Sequence, residues 1–113
     1  MATHTITLTG SGAGTTNSAP VRLNWRRQIT SLSFSTSGST TGFTAQYTLT
    51  PPDGYASATA WGTGAVWQSC EDIAAVTAAT SEAIYAPVQG VRLQANASGT
   101  DTGTLQIVQD GVR

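Results

Sequence analysis

Lysine is absent from the chain, and its five basic residues are all arginine: Arg22, Arg26, Arg27, Arg92 and Arg113. That absence excludes Schiff-base chemistry on a lysine, and it excludes a P-loop, whose lysine reaches the terminal phosphates. Charge of either sign is scarce. Charged residues make up 10% of the sequence, against about a quarter in an average soluble domain. With a net charge of −1, the chain lacks the clustered positive charge that nucleic acid or an anionic membrane surface demands, so neither is an expected partner. Cysteine occurs once. Cys70 cannot close an internal disulfide, so packing and strand pairing must hold the fold. It reads as a small buried hydrophobe; a catalytic thiol needs a histidine partner, and the one histidine, His4, lies near the terminus. Six carboxylates, Asp53, Glu71, Asp72, Glu82, Asp101 and Asp110, are scattered without ligand spacing, so no metal and no cofactor is expected. No apolar run approaches the roughly 18 residues of a membrane span. The start, Met1-Ala2-Thr3-His4, lacks the basic-then-apolar order of a signal peptide.

What fills the chain instead is threonine and serine, 31 of 113 positions, a length suited to one domain spanning 1–113. Their dominant period is two. Thr5-Ile6-Thr7-Leu8-Thr9 alternates, as do Val21-Arg22-Leu23-Asn24-Trp25 and Leu32-Ser33-Phe34-Ser35; Phe43-Thr44-Ala45-Gln46-Tyr47-Thr48-Leu49, Val66-Trp67, Val91-Arg92-Leu93-Gln94-Ala95 and Leu105-Gln106-Ile107-Val108 read as further strands. Turn formers separate them: Gly10 to Gly14, Ser37-Gly38-Ser39, Pro51-Pro52-Asp53-Gly54, Ser98-Gly99 and Asp110-Gly111. About seven or eight short strands predict an all-β fold, either an antiparallel β-sandwich or a jelly-roll-like barrel. One stretch departs from this. Ile73, Val76, Ala79 and Ala83 recur near a period of about 3.6 residues, and Ser69 with Asp72 resembles a capping box, so a short helix within 71–86 competes with a long irregular connection.

Few residues carry a chemical motif. Asp101-Thr102-Gly103 spells an aspartic-protease signature, but only ten residues follow it, leaving no room for the flap; it reads as a turn. Asn96-Ala97-Ser98 matches a glycosylation sequon without a secretory context. Trp25 and Phe34 fall on the apolar phase of their strands and read as core. Tyr55, Trp61 and Trp67 lie at six-residue steps, a spacing from which a sugar-binding row of rings could be built; Tyr55 and Trp61 divide evenly between core and interface. Arg26-Arg27, after Trp25, puts guanidinium groups on opposite faces of a strand, one of them toward solvent or a partner. Arg26, Arg27, Tyr55 and Trp61 are therefore the candidate interface residues, and no catalytic residue is expected.

The strand Val21-Arg22-Leu23-Asn24-Trp25-Arg26, the central Phe43-Thr44-Ala45-Gln46-Tyr47-Thr48-Leu49, the segment Val66-Trp67-Gln68-Ser69, and the run Tyr85-Ala86-Pro87-Val88-Gln89-Gly90-Val91-Arg92-Leu93-Gln94-Ala95 leading into Gly103-Thr104-Leu105-Gln106-Ile107-Val108-Gln109-Asp110-Gly111 resemble small structural proteins of tailed bacteriophages. In that group a Pro-Val-x-x-Val/Ile-Arg-Leu strand precedes a closing Thr-Leu-x-Val-x-Gln-x-Gly strand. The likeness covers roughly 20–113 and lapses at 69–82. It implies a non-enzymatic virion component, a decoration or cement protein made in the host cytoplasm and bound on the head surface over joints between major capsid protein subunits. Its partners would be the major capsid protein and copies of itself, and segment 1–20 would be an arm adding a strand to a neighbour. Another virion position (tail, connector or head fibre) and a carbohydrate-binding module with a glycan partner are the alternatives.

Overall fold

The alternation is realised as two antiparallel sheets facing each other, in a computed structural model that describes residues 2–27 and 29–110. One sheet comprises β1 (Ala2–Thr9), β9 (Thr102–Asp110), β4 (Ile29–Thr36) and β7 (Thr80–Tyr85), in that spatial order. The other comprises β2 (Thr16–Asn17), β8 (Gly90–Ala95), β5 (Phe43–Thr48) and β6 (Trp67–Ser69), with β3 (Val21–Arg22) also pairing to β8. Neither sheet closes on itself, so the fold is a β-sandwich and the barrel alternative falls.

Burial follows the period of two. Along β4, Thr30, Leu32 and Phe34 are buried while Ile29, Ser31, Ser33 and Ser35 face solvent. Phe34 of one sheet meets Phe43 of the other with ring centroids 5.2 Å apart and a 46° tilt, a geometry worth about 0.5–1.5 kcal/mol beyond the area it buries. Leu93, Leu105, Ile107 and Val91 complete the interior. The outer face of the first sheet is ruled in rows by strand register. Thr5, Gln106, Ser33 and Ser81 lie side by side, as do Thr3, Val108, Ser31 and Ala83, so these two rows carry hydroxyl, amide and small apolar groups and no charge.

Two expectations fail here. Segment 71–86 contains no helix: 80–85 is strand β7, and 70–79 crosses between the sheets, anchored by the Phe43–Val76 bridge. The periodic residues share no face, since Ile73 is buried and Ala79 and Ala83 are exposed. The Ala- and Thr-rich composition supplied spacing without an apolar stripe. The chain's helix among the described residues is α1 (Ala58–Gly64), capped by Ser57, whose Oγ accepts the Ala60 N–H at 3.1 Å. The expected arm at 1–20 is also different. Ala2–Thr9 pairs along its whole length with β9 of the same chain. Gly111 of the Asp110-Gly111 turn lies outside the described residues.

Candidate functional site

The strand directions give the sandwich two unlike ends. At one end, loops 10–15, 37–42 and 96–101 consist largely of Gly, Ser, Thr and Ala. They are tied internally: the Asp101 carboxylate accepts the N–H groups of Thr40 and Thr41 at 2.7 and 2.9 Å, and Asn96 Oδ1 accepts those of Gly42 and Ser98. Asp101 thus ties loops together just before β9, while Thr102 and Gly103 open that strand, so Asp101-Thr102-Gly103 is structural but is not the expected turn, and the sequon asparagine ties loops in the same way.

The opposite end is apolar. Every large hydrophobic side chain exposed among the described residues sits there: Trp25 (48%), Ile29 (37%), Leu49 (44%), Val66 (68%) and Tyr85 (76%). Ile29 faces Tyr85 across β4 and β7; Leu49 leaves β5 where Val66 enters β6. Trp25, Leu49, Pro51 and Pro87 line a depression of about 400 Å³ that includes Arg22 and Asp53. A second hollow, sharing Arg22 and Pro52 with the first, holds Tyr55.

The position of Trp25 corrects its reading as core. β3 ends at Arg22, so the alternation through Trp25 does not continue and Asn24 to Arg27 form a turn. Buried Gln109 holds that turn. Its Oε1 accepts the Asn24 N–H at 3.0 Å, and its Nε2 donates to the Asn24 carbonyl at 3.1 Å and to Thr30 Oγ1 at 3.3 Å, standing in for a missing strand neighbour. The strand-face reading of Arg26 and Arg27 falls with it. Arg26 lies 5.0 Å from the Trp25 ring centroid, and Arg27 Nη1 donates to the Gln109 carbonyl at 3.4 Å. Three of the four candidate residues, Arg26, Arg27 and Tyr55, gather at or beside the apolar end. Trp61 borders the same hollow as Tyr55 but, at 2% exposed, presents no surface there.

Trp61 and Trp67 instead fix α1 to its sheet. Trp61 Nε1 donates to the Thr50 carbonyl at 3.0 Å, and the two indoles lie 6.1 Å apart. Arg92 covers Trp67 at 4.5 Å from the ring centroid, donating from Nε to Gln46 Oε1 at 2.7 Å and from Nη1 to the Gly62 carbonyl at 3.1 Å. Burial lowers the Arg92 pKa. The groove beside it, about 650 Å³ between α1 and residues 17–20, is floored by this Trp67–Arg92 stack. The six-residue spacing of Tyr55, Trp61 and Trp67 therefore makes no platform of open rings, because Trp61 is interior and Trp67 is already stacked.

Cys70 is fully buried, and burial, with Glu82 adding, pushes its thiol up to about 12. It is a packing residue. Among the described residues no group of three or more His, Cys, Asp or Glu could hold a metal, and no helix is long and apolar enough to cross a membrane.

Sequence reasoning missed Arg22, Leu49, Val66 and Tyr85. The signal available was the proline cluster at 51–52 and Pro87, which stops strands and leaves their last apolar residues uncovered.

No family model matches the chain, and no curated protein matches it. Among solved structures it is similar to the glycoside hydrolase domain of Endo-D, Spr0440, from Streptococcus pneumoniae R6, at 16% identity and a TM-score of 0.42. The match covers 94% of this chain and 18% of that one. So distant a likeness carries nothing about activity.

Proposed function

We propose that the chain is a non-enzymatic virion structural protein that docks by its apolar end onto an assembled protein shell, as a decoration or cement protein does on the major capsid protein. The observation that carries the reading is the gathering of Trp25, Leu49 and Tyr85 with Arg22 and Arg26 at one end of a molecule that, among the described residues, exposes no large hydrophobic side chain elsewhere. Aromatic residues and arginine are enriched at protein interfaces, lysine is depleted, and a few such anchors dominate the binding energy. A partner that exists only in the assembled shell would be stabilised by mass action, since the ligand then favours the assembled state. The glycan reading has less support, because neither Trp61 nor Trp67 offers an open ring.

Co-sedimentation with assembled shells and with free major capsid protein tests this. Wild-type protein is expected to pellet with shells and to leave free subunits unbound. Paired Trp25→Ala and Leu49→Ala changes should weaken shell binding at least about tenfold, while Ser33→Ala on the hydroxyl face leaves it unchanged. Equal binding to free subunits, or indifference to the paired changes, refutes the reading.

A further inference from the structure

Four edges bound the two sheets, and three carry a recognisable guard against pairing with another chain. On β7, Glu82 places a charge on the edge and takes the Asp72 N–H, while Thr80 Oγ1 reaches the Asp72 carbonyl, so the 70–79 connection lies against this edge. β6 is only three residues long. The β2–β3 edge is interrupted at Pro20, which has no N–H to offer. Short strands, charge, proline and a covering loop are the ordinary devices of edge protection.

β1 has none of them. It runs for eight residues without Gly, Pro, Lys, Arg, Asp or Glu, and it pairs on one side, with β9. Among the described residues, no backbone group outside β9 bonds to Ala2–Thr9. A long, regular and uncharged edge is a template for strand addition.

Its sequence also identifies the occupant. Thr3-His4-Thr5-Ile6-Thr7-Leu8-Thr9 reads nearly the same in both directions about Ile6. Laid antiparallel against itself with a two-fold axis at Ile6, the strand sets Thr3 against Thr9 and Thr5 against Thr7 on the outer face. On the inner face it sets Ile6 against Ile6 and half-buried His4 against half-buried Leu8. Threonine facing threonine is a favourable cross-strand pair. An isologous contact requires a surface complementary to itself, and this strand meets that requirement along its threonine face and at Ile6, with His4 against Leu8 the one unlike pair.

We infer that the outer edge of β1 is a self-association site, at which a second copy adds its β1 antiparallel about Ile6 to make one continuous eight-stranded sheet. The threonine rows of the two outer faces then join into a single uncharged surface. This site is separate from the apolar end and does not depend on what docks there.

Sedimentation velocity across a concentration series tests it. Wild-type protein is expected to be dimeric, and Thr5→Lys with Thr7→Lys, which brings lysines face to face twice at the seam, should raise the dimer dissociation constant at least about tenfold with an unchanged far-ultraviolet circular dichroism spectrum. Disulfide trapping tests the register even if that variant folds poorly. Thr5→Cys protein mixed with Thr7→Cys protein should cross-link under mild oxidation, and neither should cross-link alone. A monomeric wild type, a dimer that survives the paired lysines, or cross-linking by Thr5→Cys alone overturns the inference.

Discussion

Gln109 illustrates what single residues contribute to this surface. It occupies an inward position of β9 where the core would accept leucine, yet its amide satisfies both backbone groups of Asn24 and the Thr30 hydroxyl. Leaving buried backbone groups without partners costs about 1–3 kcal/mol, whereas each satisfied bond adds only about 1 kcal/mol. Gln109→Leu is therefore expected to lower stability by about 1–3 kcal/mol, read as a smaller urea midpoint, and to free the 24–27 turn that presents Trp25 and Arg26. Trp25 fluorescence should shift toward the solvent-exposed value while the circular dichroism spectrum is retained. A variant as stable as wild type would mean that water satisfies Asn24 just as well. None of this was legible in the sequence, where Gln109 is one polar residue in an alternating strand. Trp25 was misread for a related reason: alternation predicts inward or outward only while a strand lasts, and β3 lasts two residues.

At the scale of elements, period-two patterning located the long strands other than β7, which fell inside the expected helix, because each has one wet and one dry face, as β4 does without exception from Ile29 to Ser35. It said nothing about which strands share a sheet, since a sandwich and a barrel alternate alike. The helix was missed where it exists and expected where it does not. Only Trp61 of α1 is buried, so no apolar period marks it. A helix of seven residues has no stability of its own, and α1 persists because Trp61 inserts over Gly90 and because the Gly62 carbonyl receives both Trp67 Nε1 and Arg92. A Cβ at Gly90 would collide with the Trp61 ring on one side and crowd the Val21 carbonyl at 3.1 Å on the other. Overpacking of this kind costs about 1–3 kcal/mol. Gly90→Ala should therefore lower the melting temperature and, because the clash lies under α1, perturb the Trp61–Trp67 near-ultraviolet signal. A conservative Gly103→Ala control, between the Phe34 and Phe43 rings, should cost stability without that signal change.

At the scale of the whole molecule, the self-pairing edge and the apolar end combine into a geometry that neither has alone. β1 begins at the apolar end, where Ala2 pairs with Gln109, and finishes at the polar end, where Thr9 pairs with Thr102. Antiparallel pairing of two such strands directs the two apolar ends away from each other. One copy measures 40 × 29 × 19 Å, so the two docking surfaces of the dimer are separated by a distance on the scale of a protein subunit, not of a side chain. If the proposed function holds, such a dimer would hold two shell subunits at once, and joining them is what would distinguish a cement from a passive coat. The second contact is then intramolecular, with an effective concentration in the millimolar range, and overall avidity rises by about 10²–10⁴ if the spacing of the shell sites permits both. The paired Thr5→Lys and Thr7→Lys protein keeps its apolar end intact and loses only the connection. It should bind assembled shells with the affinity of one end, at least about a hundredfold below wild type at low occupancy, and it should no longer raise the temperature at which shells come apart. If this monomeric form protects shells as well as wild type does, the stabilisation comes from single docking events by mass action and the dimer bridges nothing.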